Sequence, residues 1–111
     1  MPFFIATMSH PDGDGWNRRL DAHVAYLKDL VAVGSLRASG PLIGAPLRSG
    51  FLIFTVPDRA KVEALVAADP FAVERLIESL TITEWDPLFG AFAAESSGCL
   101  PGLPAPTPPE V

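Results

Sequence analysis

The segment Phe51-Leu52-Ile53-Phe54-Thr55-Val56 is apolar at odd and even positions alike. Its aromatic and β-branched content, bounded by turn formers, makes it the clearest strand in the chain. Side chains of a strand point to opposite faces in turn, so a sheet covered on one side alternates apolar and polar residues. Here both faces require burial. Phe3 to Met8 (FFIATM) has nearly the same character and reads as a strand beginning almost at the first residue.

Outward from this strand the elements follow from local signals. Ser9 to Gly15 (SHPDGDG) is dense in turn formers and reads as a loop. Leu20, Val24, Leu27 and Val31 then recur at helical spacing, one apolar stripe of a helix from about Trp16 to Val33. Gly34 is placed to end it in the left-handed conformation. Ser35 to Leu42 (SLRASGPL) reads as a strand running into a Gly-Pro turn, with Ile43 to Ser49 a loop. Beyond the central strand, Pro57-Asp58 caps a second helix to about Ala67, with Val62, Leu65 and Val66 inward. Asp69-Pro70 reopens a short helix to about Ile77, and Leu80 to Trp85 (LTITEW) is the last strand, closed by Pro87. The order βαββαβ predicts an α+β, ferredoxin-like fold, an antiparallel sheet with helices on one face. A domain this short has helices for only one face. The expected cover for the other is a second copy of the chain, packed sheet to sheet. The competing reading has Leu88, Phe89 and Phe92 fold back over it.

The 111 residues allow one domain and exclude a large multidomain enzyme. With 49% apolar and 19% charged residues the bulk of the chain is not intrinsically disordered. A net charge of −5 and the lack of a basic stripe argue against nucleic acid as a partner. No apolar run approaches the 18 or so residues needed to span a bilayer, and MPFFIATM lacks a basic region and a cleavage signature. No membrane association and a cytoplasmic location are therefore expected. Five of the 12 prolines fall in the last 11 residues, so residues 1–96 read as the domain and 97–111 as a Pro-rich disordered tail. Cys99, the single cysteine, sits in that tail without a basic neighbour and cannot close an intramolecular disulfide.

Walker A, GxGxxG, HExxH, CxxC and GxSxG patterns are all absent, so no cofactor is expected and redox chemistry is disfavoured. His10 precedes Asp12-Gly13-Asp14-Gly15, but the distal ligands of a calcium loop are missing; polar turn chemistry explains the segment better, and no metal is expected. His23 falls on or beside the apolar stripe, where a histidine requires partners for its ring nitrogens. It reads either as a satisfied core histidine or as a proton-transfer group. Arg19, one turn earlier, would disfavour imidazolium if close; otherwise it is an ordinary solvated arginine. Asp69 before Pro70 is a favoured helix-capping pair. It could also accept a hydrogen bond from His23, one carboxylate oxygen serving each role, but 46 positions separate the two and spacing alone cannot join them.

At these residues the chain resembles the YCII-related family of small ferredoxin-like proteins. The matching pieces are Arg19, His23-Val24-Ala25-Tyr26-Leu27, Gly34-Ser35-Leu36, Ser39-Gly40-Pro41-Leu42, Gly50, Asp69-Pro70-Phe71 and Ile82-Thr83-Glu84-Trp85, over residues 3–89. The resemblance implies a dimeric α/β barrel and a His–Asp pair in a pocket, carried here by His23 and Asp69. One member type acts as a dehydrochlorinase of chlorinated hydroxyhydroquinones. Val24 stands where leucine commonly follows the histidine, and the compact loop at Ile43 to Ser49 bears on pocket shape. The expected protein is then a small cofactor-independent isomerase, lyase or dehydrochlorinase acting on a small aromatic or lactone-like substrate. His23 would move the proton, Asp69 would orient it, Arg19 would attract an anionic oxygen, and Ser39, Gly40 and Pro41 would wall the pocket. The rival expectation is a non-catalytic dimeric module that binds a small molecule in the same pocket.

Overall fold

The computed structural model describes residues 1–102. Its elements are β1 (Phe3–Ser9), α1 (Gly15–Ala32), β2 (Leu36–Pro41), β3 (Ser49–Thr55), α2 (Arg59–Ala67), α3 (Pro70–Val73) and β4 (Ser79–Trp85), followed by a single 3₁₀ turn at Ala93–Glu95. The four strands form one sheet in the order β2-β3-β1-β4, each neighbouring pair antiparallel. This is the α+β, ferredoxin-like arrangement expected from the element order.

The two apolar strands lie side by side at the centre, Phe4 opposite Phe54 and Ala6 opposite Leu52. Phe4, Ala6 and Met8 of β1 join Leu52 and Phe54 of β3 against Leu30 of α1 and Val62 and Val66 of α2. Each buried Phe, Met, Leu or Val of this set contributes about 1.5–3 kcal/mol relative to an exposed one. A slip of one residue would turn the whole set to the wrong face, so burial fixes the register. Asp58 caps α2 by accepting the Lys61 amide N–H at 2.9 Å.

Two elements depart from expectation. The short helix α3 ends at Val73 rather than near Ile77, because Arg75 takes a left-handed backbone (φ 59°). The amide of Leu76 then bonds the Phe71 carbonyl at 2.7 Å, and that of Arg75 the Ala72 carbonyl at 3.1 Å. Gly34 (φ 85°) ends α1 with the same paired bonds, Ser35 to Leu30 and Gly34 to Val31. This is the Schellman closure, with glycine at its left-handed position in α1 and arginine in α3.

The second departure is on α1. Of the predicted stripe, Val24 and Val31 are 38% and 55% exposed; the helix meets the core through Leu30, Tyr26 and Leu27.

The sheet face away from the helices carries Ile5 and Thr7 of β1 and Phe51 and Ile53 of β3. One end of it is covered by the chain itself. Phe92 packs on Phe3 with ring centroids 5.4 Å apart and meets Trp85 edge-on. A bulge in β2 between Leu36 and Ala38 turns Arg37 over both phenylalanine rings. There its guanidinium donates two hydrogen bonds to Glu95, at 2.7 and 2.8 Å, which hold the Glu95 carboxyl below its usual range. Phe89, expected in the same cover, is 81% exposed. Ser97 bonds the Asp86 carboxylate through its amide and its hydroxyl. The rest of the Pro-rich tail, from residue 103 on, lies outside the described residues.

Candidate active site

Four structural decisions bring the site together. Helix α1 is long enough to present His23 about two turns in, on the side that faces α3. The chain leaving α2 becomes extended at Asp69 (φ −62°, ψ 135°), and Pro70 opens α3 in the position where its missing N–H is no loss. Asp69 caps that turn, its Oδ1 accepting the Phe71 amide N–H at 2.9 Å. At Gly15 a side chain would begin 2.7 Å from Leu76, so glycine lets the start of α1 approach the segment after α3.

His23 and Asp69, far apart in sequence, meet. The Nδ1–H of His23 is shared between Oδ1 and Oδ2 of Asp69, at 2.9 and 2.8 Å. Oδ1 therefore serves both the helix cap and the histidine, and Oδ2 the histidine alone. The Asp69 side chain is 3% exposed and that of His23 14%. Phe71 stacks on the imidazole, centroids 4.1 Å apart and planes 19° from parallel. With Nδ1 committed to the carboxylate, the tautomer is set and Nε2 carries the lone pair. Nearby, the Tyr26 hydroxyl donates to the Leu65 carbonyl at 2.6 Å. Burial first, and the Asp69 charge second, raise the Tyr26 pKa above the ordinary tyrosine range.

His23 of this pair lines a cavity of about 790 Å³, within the size range of small-molecule sites. Ser39, Gly40 and Pro41 line it. So do Leu20, Val24, Leu27 and Val31: the apolar stripe of α1 is the wall of this cavity. Arg19 does not line it. Its guanidinium pairs with Glu74 at 3.0 Å on the surface, both side chains nearly half exposed, so the cation expected beside His23 is turned outward.

Three further residues belong to the site that sequence reasoning did not place there. Trp16 stacks on Phe71 at 5.9 Å, and Arg48 lies 4.5 Å over the Trp16 ring. His10, 5% exposed, stands edge-on to Phe71 at 4.8 Å and lines the same cavity. The chain has only two histidines, and both arrive at one aromatic ring. That scarcity was the available signal. No group of three or more His, Cys, Asp or Glu side chains placed to hold a metal occurs among the described residues.

Sheet, helices and a His–Asp pair on a partly aromatic cavity define a small ferredoxin-like α+β protein with a ligand-sized site. It belongs to the YCII-related domain family, whose profile matches residues 1–86. Among solved structures it is similar to 5-chloro-2-hydroxyhydroquinone dehydrochlorinase from Burkholderia phenoliruptrix AC1100, solved as a complex with 2,5-dihydroxybenzoquinone. That likeness has a TM-score of 0.65 and 25% identity, covering 75% of this chain and 92% of that one. The fold is also similar to that of Rv0793 from Mycobacterium tuberculosis, with a TM-score of 0.52 and 15% identity over 82% of this chain and 99% of that one. No curated protein matches the chain in sequence. No described helix is long and apolar enough to cross a membrane.

Proposed function

We propose that this chain is a small cofactor-independent enzyme in which His23 and Asp69 transfer a proton on a small hydroxylated aromatic or lactone-like substrate. The observation that carries the reading is the 2.8–2.9 Å contact between the His23 Nδ1–H and the Asp69 carboxylate at the edge of a ligand-sized cavity. Nε2 takes a proton from a substrate hydroxyl or carbon. Asp69 holds the ring in place and compensates the positive charge it acquires. In an elimination the leaving group departs with its bonding pair while the proton resides on His23, and no external oxidant is needed. The same residues run an isomerisation by returning the proton at another atom. The likeness to the dehydrochlorinase supports the elimination branch. The expected assembly is a homodimer in which a second copy covers the rest of the open sheet face.

Chloride release from 5-chloro-2-hydroxyhydroquinone is the direct test, with 2,5-dihydroxybenzoquinone as a binding probe. His23→Ala and Asp69→Asn are each expected to lower kcat by about 10²-fold or more with the fold retained. Turnover that survives His23→Ala overturns the mechanism. Tight probe binding without turnover of any hydroxylated or lactone substrate assigns the cavity to recognition alone, the non-catalytic reading.

A further inference from the structure

The Nδ1 of His10 lies 2.7 Å from the Leu76 carbonyl oxygen. A carbonyl can only accept, so Nδ1 carries the hydrogen and Nε2 the lone pair. The backbone on both sides fixes this arrangement. The His10 amide donates to the Arg48 carbonyl at 2.8 Å, and Leu76 is held by the closure that follows α3. Nε2 has no hydrogen-bond partner among the described residues, yet it is not among the buried polar atoms sealed from solvent. A buried ring whose one free nitrogen still reaches an opening faces that opening with an unmet acceptor. The opening is the cavity it shares with His23.

Both imidazoles thus contact the same Phe71 ring, His23 on its face and His10 edge-on, and each has its tautomer set by the partner of its Nδ1. They differ in what holds them. Asp69 offers His23 a charge partner for a proton taken up; the Leu76 carbonyl offers His10 only a dipole. His23 is therefore the ring with a charged partner, and His10 offers its Nε2 as a hydrogen-bond acceptor.

We propose that His10 is a second ligand-contacting residue: its Nε2 accepts a hydrogen bond from a substrate hydroxyl, so the site selects planar rings bearing at least two hydroxyl groups. One hydroxyl meets His23, the other His10, and Trp16 supplies aromatic surface. This rests on the reading of the cavity as the substrate site and adds the selectivity that His23 and Asp69 alone do not supply.

The test compares hydroquinone with 1,4-dimethoxybenzene, the same ring without donors, by calorimetry on the full chain. The unsubstituted protein is expected to bind hydroquinone at least tenfold more tightly, since a buried acceptor left unpaired by the ether is penalised. His10→Asn keeps an amide N–H placed for the Leu76 carbonyl and removes the Nε2 acceptor. It is expected to weaken hydroquinone about tenfold and to leave the dimethoxy compound unchanged. A merely structural His10 would not move that ratio. Should His10→Asn fail to fold, nitrogen NMR of the unsubstituted protein decides. Protonated Nδ1, with an Nε2 resonance that shifts on adding hydroquinone, supports the proposal; protonated Nε2 overturns it. Loss of hydroquinone binding in His23→Ala but not in His10→Asn overturns the role of His10 and leaves the His23–Asp69 reading standing. Binding unaffected by either substitution, or no hydroquinone binding at all, overturns the proposal; the chloride-release test still judges the dyad independently.

Discussion

Asp69 has two oxygens and three neighbours that depend on it: the Phe71 amide, the His23 ring and, through its charge, the Tyr26 phenol. Tyr26 is the only tyrosine, so its phenolate absorbance reports this field without ambiguity. Titrated by ultraviolet absorbance, Tyr26 is expected to ionise above the ordinary tyrosine range. In Asp69→Asn it should move down but stay elevated, because burial is the larger cause and remains. The sign for stability follows. The fold prefers the neutral phenol, so this contribution is complete below the ordinary tyrosine pKa and is lost as pH rises through the higher folded value. A Tyr26 pKa unmoved by Asp69→Asn would show that the carboxylate exerts no charge there. From sequence, Asp69 was legible as a helix cap, since Asp-Pro is a local signal. Its meeting with His23 was not, because nothing local encodes which helix side faces which turn; the family resemblance supplied the expectation.

Arg75 is the residue at which an element ends against its own preference. A non-glycine residue in the left-handed region costs roughly 1 kcal/mol, and the equivalent position after α1 is Gly34. Arg75→Gly is expected to raise stability by up to about 1 kcal/mol in urea unfolding, whereas Arg75→Ala, still left-handed, is not. Equal effects of the two would show that the strain is absent. The early stop of α3 was hidden in the sequence because no glycine or asparagine marks it. The other elements were legible because their signals are local: the two-sided apolar strands, the Asp58 cap, Gly34 and the turn-rich loop before α1. The stripe on α1 shows the limit of periodicity. It states that Leu20, Val24, Leu27 and Val31 share a flank, and is silent on whether that flank meets protein or a cavity.

At the scale of the molecule the open sheet face divides in two. The Phe3 and Trp85 end is closed by Phe92, Arg37 and Glu95, contributed in part by residues beyond the 1–86 family match. Around Ile5, Thr7 and Phe51 the chain provides no comparable aromatic cover among the described residues. Both readings of the two-sided strands are thus engaged, the chain folding back at one end and a second copy inferred at the other. Sedimentation at several concentrations is expected to give twice the chain mass at micromolar protein, and Ile5→Lys to shift it toward the chain mass with secondary structure kept. A monomer throughout that range overturns the inferred dimer.

The flank of α1 that lines the cavity also ties two quantities together. A guest seated against Val24 and Leu27 stands in for the core side chains this helix face lacks, so occupancy and folding draw on one free energy. Trimming that wall, as in Val24→Ala, then registers first as a guest held less firmly, while the empty fold is nearly untouched. Selection that tunes the site is, for this helix, also selection on how firmly it stays in place.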